Sequence, residues 1–299
     1  MRSLLLLLLL PALGSCTLTG TLHVVRGPED VSEPEPAYRE DHWAFVDFVP
    51  VPPFYMDTHD PLTQDEYIWG SARAGVEPWD PFIWERIVAL SKGVPKGSRF
   101  VDVGANLGYF SLMASSLGYD VIAFEPMSRN ARKLARSVAR NGFGGRVQLF
   151  QDAVSDIYGQ RVSLRKTPRG PFGVYGIDYV DTVTLSGALL LAPSEPVDAH
   201  IVLLGVDSAP ARVLLGAHDW ICSRTVRHIL IEFSEATRSS TAAPAAEMFS
   251  FMRRAGYIVS DFSVGSDAPL DYARLVAGDF AGVPSHLLFS LRGSGPTCL

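Results

Sequence analysis

The stretch FVDVGANLGYFSLMASSLGYDVIAFEP, Phe100 to Pro126, constrains the fold more than any other part of the chain. It holds an apolar strand, a turn bounded by Gly104 and Gly108, a helix, and a second apolar strand ending on Glu125. A strand that returns through a helix to a neighbouring strand builds a parallel sheet with helices packed on its faces. The turn lies where open α/β sheets bind ligands, at the carboxyl ends of the strands. Its order excludes the phosphate loop GxxxxGK[ST], because no lysine follows Gly108. It also differs from the dinucleotide pattern GxGxxG, since Ala105, Asn106 and Leu107 separate the two glycines and Asp102 precedes the first. That order disfavours a nicotinamide oxidoreductase.

The same grammar continues downstream. DVIAFEP reads as a strand, SRNARKLARSVARNGF as a helix with a basic outer face, and RVQLFQDAVSD and VSLRKT as strands. AHIVLLGVD is a buried strand, APARVLLGAHDWI a helix, VRHILIEFS a strand, AAPAAEMFSFMRRAGY a helix and SHLLFSLR a closing strand. Runs such as VIAF and IVLL are apolar throughout, as in strands covered on both faces. The expected fold is therefore α/β and Rossmann-like, with a mostly parallel central sheet.

Upstream, DPLTQDEYIWGSARAG predicts a helix with Thr63 and Glu66 as a capping pair. DPFIWERIVALSKGVPKGS predicts another, with Pro81 in its first turn. WAFVDFVPVPPFYM predicts a short edge strand, and the Pro- and acid-rich RGPEDVSEPEPAYRED a linker. The N-terminus, MRSLLLLLLLPALGSC, has one Arg, an apolar run from Leu4 to Leu10 and a small-residue exit. These are the marks of a cleaved signal peptide, and the run is shorter than the roughly 20 residues a bilayer span needs. Leu13-Gly14-Ser15-Cys16 also fits a lipid-attachment site on Cys16. The expected location is the secretory pathway or outside the cell, with no stable membrane span.

The formal net charge of −6 disfavours nucleic acid, which requires a basic face. No Cys/His cluster has zinc spacing, so no metal is expected. Cys222 and Cys298 are read as a buried thiol and a tail thiol, or as a disulfide pair. His59, His200, His218, His228 and His286 read as surface or core residues.

The acids carry the chemistry. Gly104 and Gly108 permit a tight turn and close approach of a ligand. Asp102 favours an ammonium and disfavours a diphosphate. Glu125, ending the next strand, is placed to accept both hydroxyls of a ribose. Asp152, in QDAVSD at the end of the third strand, is placed to accept from an adenine amino group. Three acids at three successive strand ends suit a cationic amino-acid nucleoside, S-adenosyl-L-methionine, better than a pyrophosphate.

These residues resemble the FkbM-type class I methyltransferases, whose first motif reads V-D-V-G-A-N-x-G-x-x-S followed by v-x-A-F-E-P. Asn106, Tyr109 and Ser111 fall within the match, which continues through NARKLARSVARNGF and QDAVSD and covers roughly residues 98 to 235. The resemblance implies methyl transfer from S-adenosylmethionine to a hydroxyl of a small molecule or glycan. With the N-terminal readings above, the expected division is 1–16 signal peptide, 17–61 linker and lead-in, 62–97 helical lead-in covering the cofactor cleft, and 98–299 methyltransferase domain. The cofactor residues it implies are Asp102, Gly104, Asn106, Gly108, Glu125 and Asp152.

The pattern breaks at one place. The family usually carries l-l-K-I-D-V-E-G-a-E, where this chain has IVLLGVDSAP. Anchored on Gly216-Ala217, Leu203 stands for the Lys, Gly205 for the Asp, Asp207 for a Glu and Pro210 for the second Glu; a shifted alignment instead puts Asp207 on the family Asp. Asp207 and Glu232 are therefore the candidate catalytic residues, because methylating an alcohol needs a base near the acceptor. The competing expectation is a cofactor-binding protein that has lost transfer.

Overall fold

The apolar runs become one sheet. In the computed structural model, residues 24–25, 42–58, 78–165, 177–191, 197–206, 210–233, 242–263 and 268–298 are described. β4 (Arg99–Val103), β5 (Asp120–Phe124), β6 (Val147–Phe150), β10 (Ala199–Leu204) and β11 (Val226–Glu232) are mutually parallel. β13 (His286–Leu291) runs antiparallel between β11 and β12 (Tyr257–Asp261). With β1 (Val24–Val25) antiparallel on the edge of β6, the order is β1-β6-β5-β4-β10-β11-β13-β12. From β6 to β12 this is a mostly parallel α/β sheet with helices on both faces, the Rossmann-like fold class expected from the sequence.

Residues alternate between two cores, which is why the strands read as apolar throughout. Val101, Val103, Ile122 and Phe124 point to one face, under α4 (Leu185–Leu191), α5 (Pro210–Leu215), α6 (His218–Ser223) and α7 (Ala242–Arg254). Phe100, Val121 and Ala123 point to the other, under α1 (Pro81–Leu90), α2 (Tyr109–Leu117) and α3 (Ser128–Arg140). α8 (Tyr272–Val276) follows β12.

Several elements differ from the sequence reading. The expected edge strand is a hairpin, β2 (His42–Val46) with β3 (Phe54–Thr58), in a sheet of its own. It rests on α3, whose basic outer face explains the attachment. Asp57, fully buried, meets Lys133 at 2.9 Å and Arg136 at 3.1 Å, and Arg140 lies over the rings of Trp43 and Tyr55. The helix expected over APARVLLGAHDWI is two, because Gly216 backs directly onto the Ser155 backbone between them. β7 (Ala153–Val154), β9 (Ile177–Val183) and β8 (Arg161–Arg165) form a small separate sheet. β9 and β12 were not foreseen: IDYVDTV carries three polar or acidic residues, and YIVSD follows α7 after only Ala255 and Gly256. Val24–Val25 pairs with Leu149 and Phe150 from within the segment read as linker. The helix expected around Thr63 lies outside the described residues.

Cys222, in α6, and Cys298 form a disulfide that ties the tail to the domain. Of the two readings the sequence left open, this is the pair.

Candidate functional site

The strand order reverses between β4 and β10. β5 and β6 run outward on one side and β11, β13 and β12 on the other. A crevice opens at such a switch point, outside the carboxyl ends of the strands. Here it is bordered by the turn after β4 and the loop after β10. The two touch backbone to backbone, with Gly205 N–H donating to Val103 O at 2.9 Å.

Gly104 has φ +82°, and a Cβ there would lie 2.5 Å from the Gly205 carbonyl oxygen. A Cβ on Gly108, the N-cap of α2, would overlap the Leu134 side chain. Both glycines are thus required by the packing of the chain itself, and the space beside Gly104 is filled by Gly205 rather than open to a ligand. Gly205 is different. A Cβ there would meet only Gly104 O at 3.5 Å and Val103 O at 3.8 Å, ordinary contact distances.

Glu125, immediately after β5, is 4% exposed and held from two loops. Asn106 N–H donates to Oε2 at 2.8 Å and Met127 N–H to Oε1 at 2.9 Å. Asn130 Nδ2 bridges Asn106 Oδ1 (2.9 Å) and Glu125 Oε1 (3.4 Å). Asn106 adopts φ 52°, a conformation asparagine tolerates better than most residues. Burial pushes the Glu125 carboxyl up to about 7, against the two backbone amides and Asn130, with the nearby Asp102 charge adding to the rise.

Asp102 is turned away from this pair. It is buried in β4 and accepts from Ser111 Oγ at 2.5 Å, fastening the first turn of α2. Burial raises it to about 6 despite that bond. Asp152 is buried just past β6. The structure therefore joins Asn106, in the turn between Gly104 and Gly108, directly to Glu125 and gives Asp102 an internal partner. Asn130 was missed in the sequence, where it looked like one more polar residue on a basic helix.

On the other side of the switch point, Glu232 ends β11 and lies opposite His286 in the register with β13. Asp207 lies outside the described residues. Leu203, in β10, pairs with Asp102 and Leu230 in the sheet and is 2% exposed within the core. No group of three or more metal-ligating side chains occurs among the described residues.

The sequence also passed over the residues that join the lead-in to this edge. Tyr109, opening α2, accepts from Trp79 N–H at 3.1 Å and packs on Trp84. Asp80 caps α1 by accepting from Ile83 N–H, and its other oxygen meets His286 Nε2 at 3.1 Å.

No protein-family model matches the chain, and no curated protein sequence does. Solved structures do. A Clostridium thermocellum protein assigned as an rRNA methylase is 10% identical, with a TM-score of 0.43 over 71% of this chain and 97% of that one. An S-adenosylmethionine-dependent methyltransferase from Agrobacterium tumefaciens is 11% identical, with a TM-score of 0.43 over 85% and 71%. A Klebsiella pneumoniae protein assigned as an O-methyltransferase is 14% identical, with a TM-score of 0.42 over 79% and 92%. Likeness at this level carries no argument about activity; the fold rests on the strand order and register described above.

Proposed function

We propose that the chain is an S-adenosylmethionine-dependent methyltransferase of the secretory pathway that methylates a hydroxyl on a small molecule or glycan. The observation that carries the reading is Glu125. A buried carboxylate, fixed by backbone amides from the turn after β4 and the loop after β5, keeps lone pairs on both oxygens for a ligand diol. Such an acid at the end of the second strand is the ribose-binding device of nucleotide folds. Asn106 and Asn130 hold its orientation. Asp152, at the next strand end, is the adenine-side residue in this reading, and Asp102 acts through Ser111 by holding the turn in shape. The cofactor supplies an electrophilic methyl group on a sulfonium. The chain must then bind it, exclude water, and remove a proton from the acceptor hydroxyl. FkbM membership, with Asp207 or Glu232 as acceptor-side groups, belongs to the same proposal. The N-terminal apolar run and the Cys222–Cys298 disulfide both support an oxidising compartment.

A second reading, a cofactor-binding protein without transfer, is favoured by one observation. The family Lys position holds Leu203, sunk in the core, and the family Asp position holds Gly205 with no side chain. The test is calorimetry of the purified protein with S-adenosylhomocysteine, followed by transfer of labelled methyl to a panel of hydroxylated acceptors. Binding with transfer supports the enzyme and binding without transfer the second reading. No binding removes both.

A further inference from the structure

The β11–β13 edge holds a cluster that the cofactor site leaves unused. His286, at the first position of β13, lies directly opposite Glu232, the last residue of β11. Its Nε2 is 3.1 Å from Asp80 Oδ2, and its Nδ1 is 3.1 Å from Ser285 Oγ. The ring packs against those of Phe82 and Phe262, each centroid 5.4 Å away. Asp261, at the end of β12, is the other acid facing it, and Arg86 of α1 lies over the Phe262 ring. The His286 and Asp80 side chains are 13% and 19% exposed, so water reaches the pair without flooding it.

Two features separate this cluster from an ordinary surface ion pair. The first is position. It stands at the carboxyl edge of the sheet, across the switch point from Glu125, on the half left for an acceptor. The second is Asp80 itself, which holds φ 42° and ψ 77°. A non-glycine residue there is strained, and such strain collects at functional sites. Glycine or asparagine would sit there more easily, and either would give up the charge on His286.

We propose that His286, held by Asp80, is a positioning residue for Glu232, and that it keeps the Glu232 carboxylate charged and aimed as the base for the acceptor hydroxyl. This rests on the methyl-transfer reading above. In that step the acceptor oxygen forms the new C–O bond while the C–S bond breaks with its electron pair left on sulfur. The hydroxyl proton passes to the Glu232 carboxylate and then to solvent. Protonated, His286 carries the opposite charge beside it. Burial alone would lower the imidazole, but the bond to Asp80 and the charges of Asp80, Glu232 and Asp261 raise it above its ordinary value. The lead-in segment thus supplies a working part of the site, through a contact 206 residues long in sequence.

The test uses the full chain with 13C-labelled histidine. NMR titration of the His286 ring, assigned by its loss in His286→Gln, is followed in wild type, Asp80→Asn and Glu232→Gln. We expect a titration above 6.5 in wild type that moves down in both variants. An asparagine still caps α1, so loss of folding is not expected there. A His286 ring unmoved by Glu232→Gln overturns the proposal, whether or not an acceptor has been found. With a reacting acceptor from the panel, His286→Gln should lower kcat by about tenfold or more and shift the acidic limb of the pH profile. S-adenosylhomocysteine affinity should stay within about twofold. An unchanged kcat and pH profile overturns the proposal. Failure of wild type to bind S-adenosylhomocysteine would instead remove the methyl-transfer reading beneath it.

Discussion

If the buried Glu125 carboxylate receives the ribose hydroxyls, cofactor affinity must follow its ionisation. The group titrates at about 7 in the free protein because burial disfavours its charge. Only the ionised form keeps lone pairs for the ribose on both oxygens while accepting from Asn106 and Met127 N–H. At pH 8 roughly nine-tenths of the protein is in that form, and at pH 6 roughly one-tenth. The dissociation constant should therefore rise by about tenfold between pH 8 and pH 6, equivalent to about 1.4 kcal/mol. The sign is that of an acid whose free pKa is raised: binding weakens as pH falls through 7. Calorimetry with 5′-methylthioadenosine isolates the effect, since this probe keeps the ribose and adenine and lacks the titrating amino acid. Asp102, raised to about 6, titrates in an overlapping range, so Asp102→Asn is the control and should retain the dependence. Glu125→Gln should flatten it. That change should also weaken binding by about 1–3 kcal/mol, because the amide NH2 faces one backbone N–H that then lacks an acceptor. Equal affinity at pH 6 and 8, or a Gln variant that binds as wild type does, would refute the ribose assignment.

Three further outcomes follow from the geometry. Gly104→Ala should lose about 2–4 kcal/mol of stability in urea unfolding, from the left-handed backbone and the Gly205 carbonyl in its way, while Gly142→Ala, at φ 69° with open space, should lose only about 1–2. Equal losses would show that the two loops separate freely. Cys222→Ser opens a cross-link between positions 76 apart, and chain entropy puts the cost near about 4–5 kcal/mol, read as a lower Tm under oxidising conditions. His228, lowered to about 4 mainly by burial and then by His200, should add stability that is full above pH 6.5 and lost as pH falls through 4. Asp102 and Glu125 act with the opposite sign, so the readout is the difference between wild type and His228→Asn, which should vanish at low pH.

Local elements were legible where the chain obeys a single period. Phe100 to Pro126 specifies β4, the turn, α2 and β5, because two-sided burial makes the strands apolar throughout and the glycines mark the turn. The antiparallel place of β13 was not legible, since SHLLFSLR reads the same in either direction. Among the site residues, Glu125 announces itself as an acid closing an apolar strand. Its holders do not, because Asn106 and Met127 act through backbone N–H groups that any side chain would leave in place. Asp102 has the right residue type in the right motif, yet its direction is set by Ser111 on the following helix. His286 and Asp80 stand far apart in sequence, and only the pairing of β13 with β11 brings the histidine opposite Glu232.

The loop after β10 keeps a vacancy that its sequence does not use. At Gly205 the backbone runs in a conformation open to any L-residue, and the first side-chain atom would touch its neighbours only at contact distance. Across from it, Gly104 has no such latitude. The two glycines that meet at the switch point therefore differ in kind: one is an obligation of geometry and the other an omission. A side chain added at 205 would meet Gly104 and Val103 only at contact distance, whereas one added at 104 would press on the Gly205 carbonyl and force the two backbones apart.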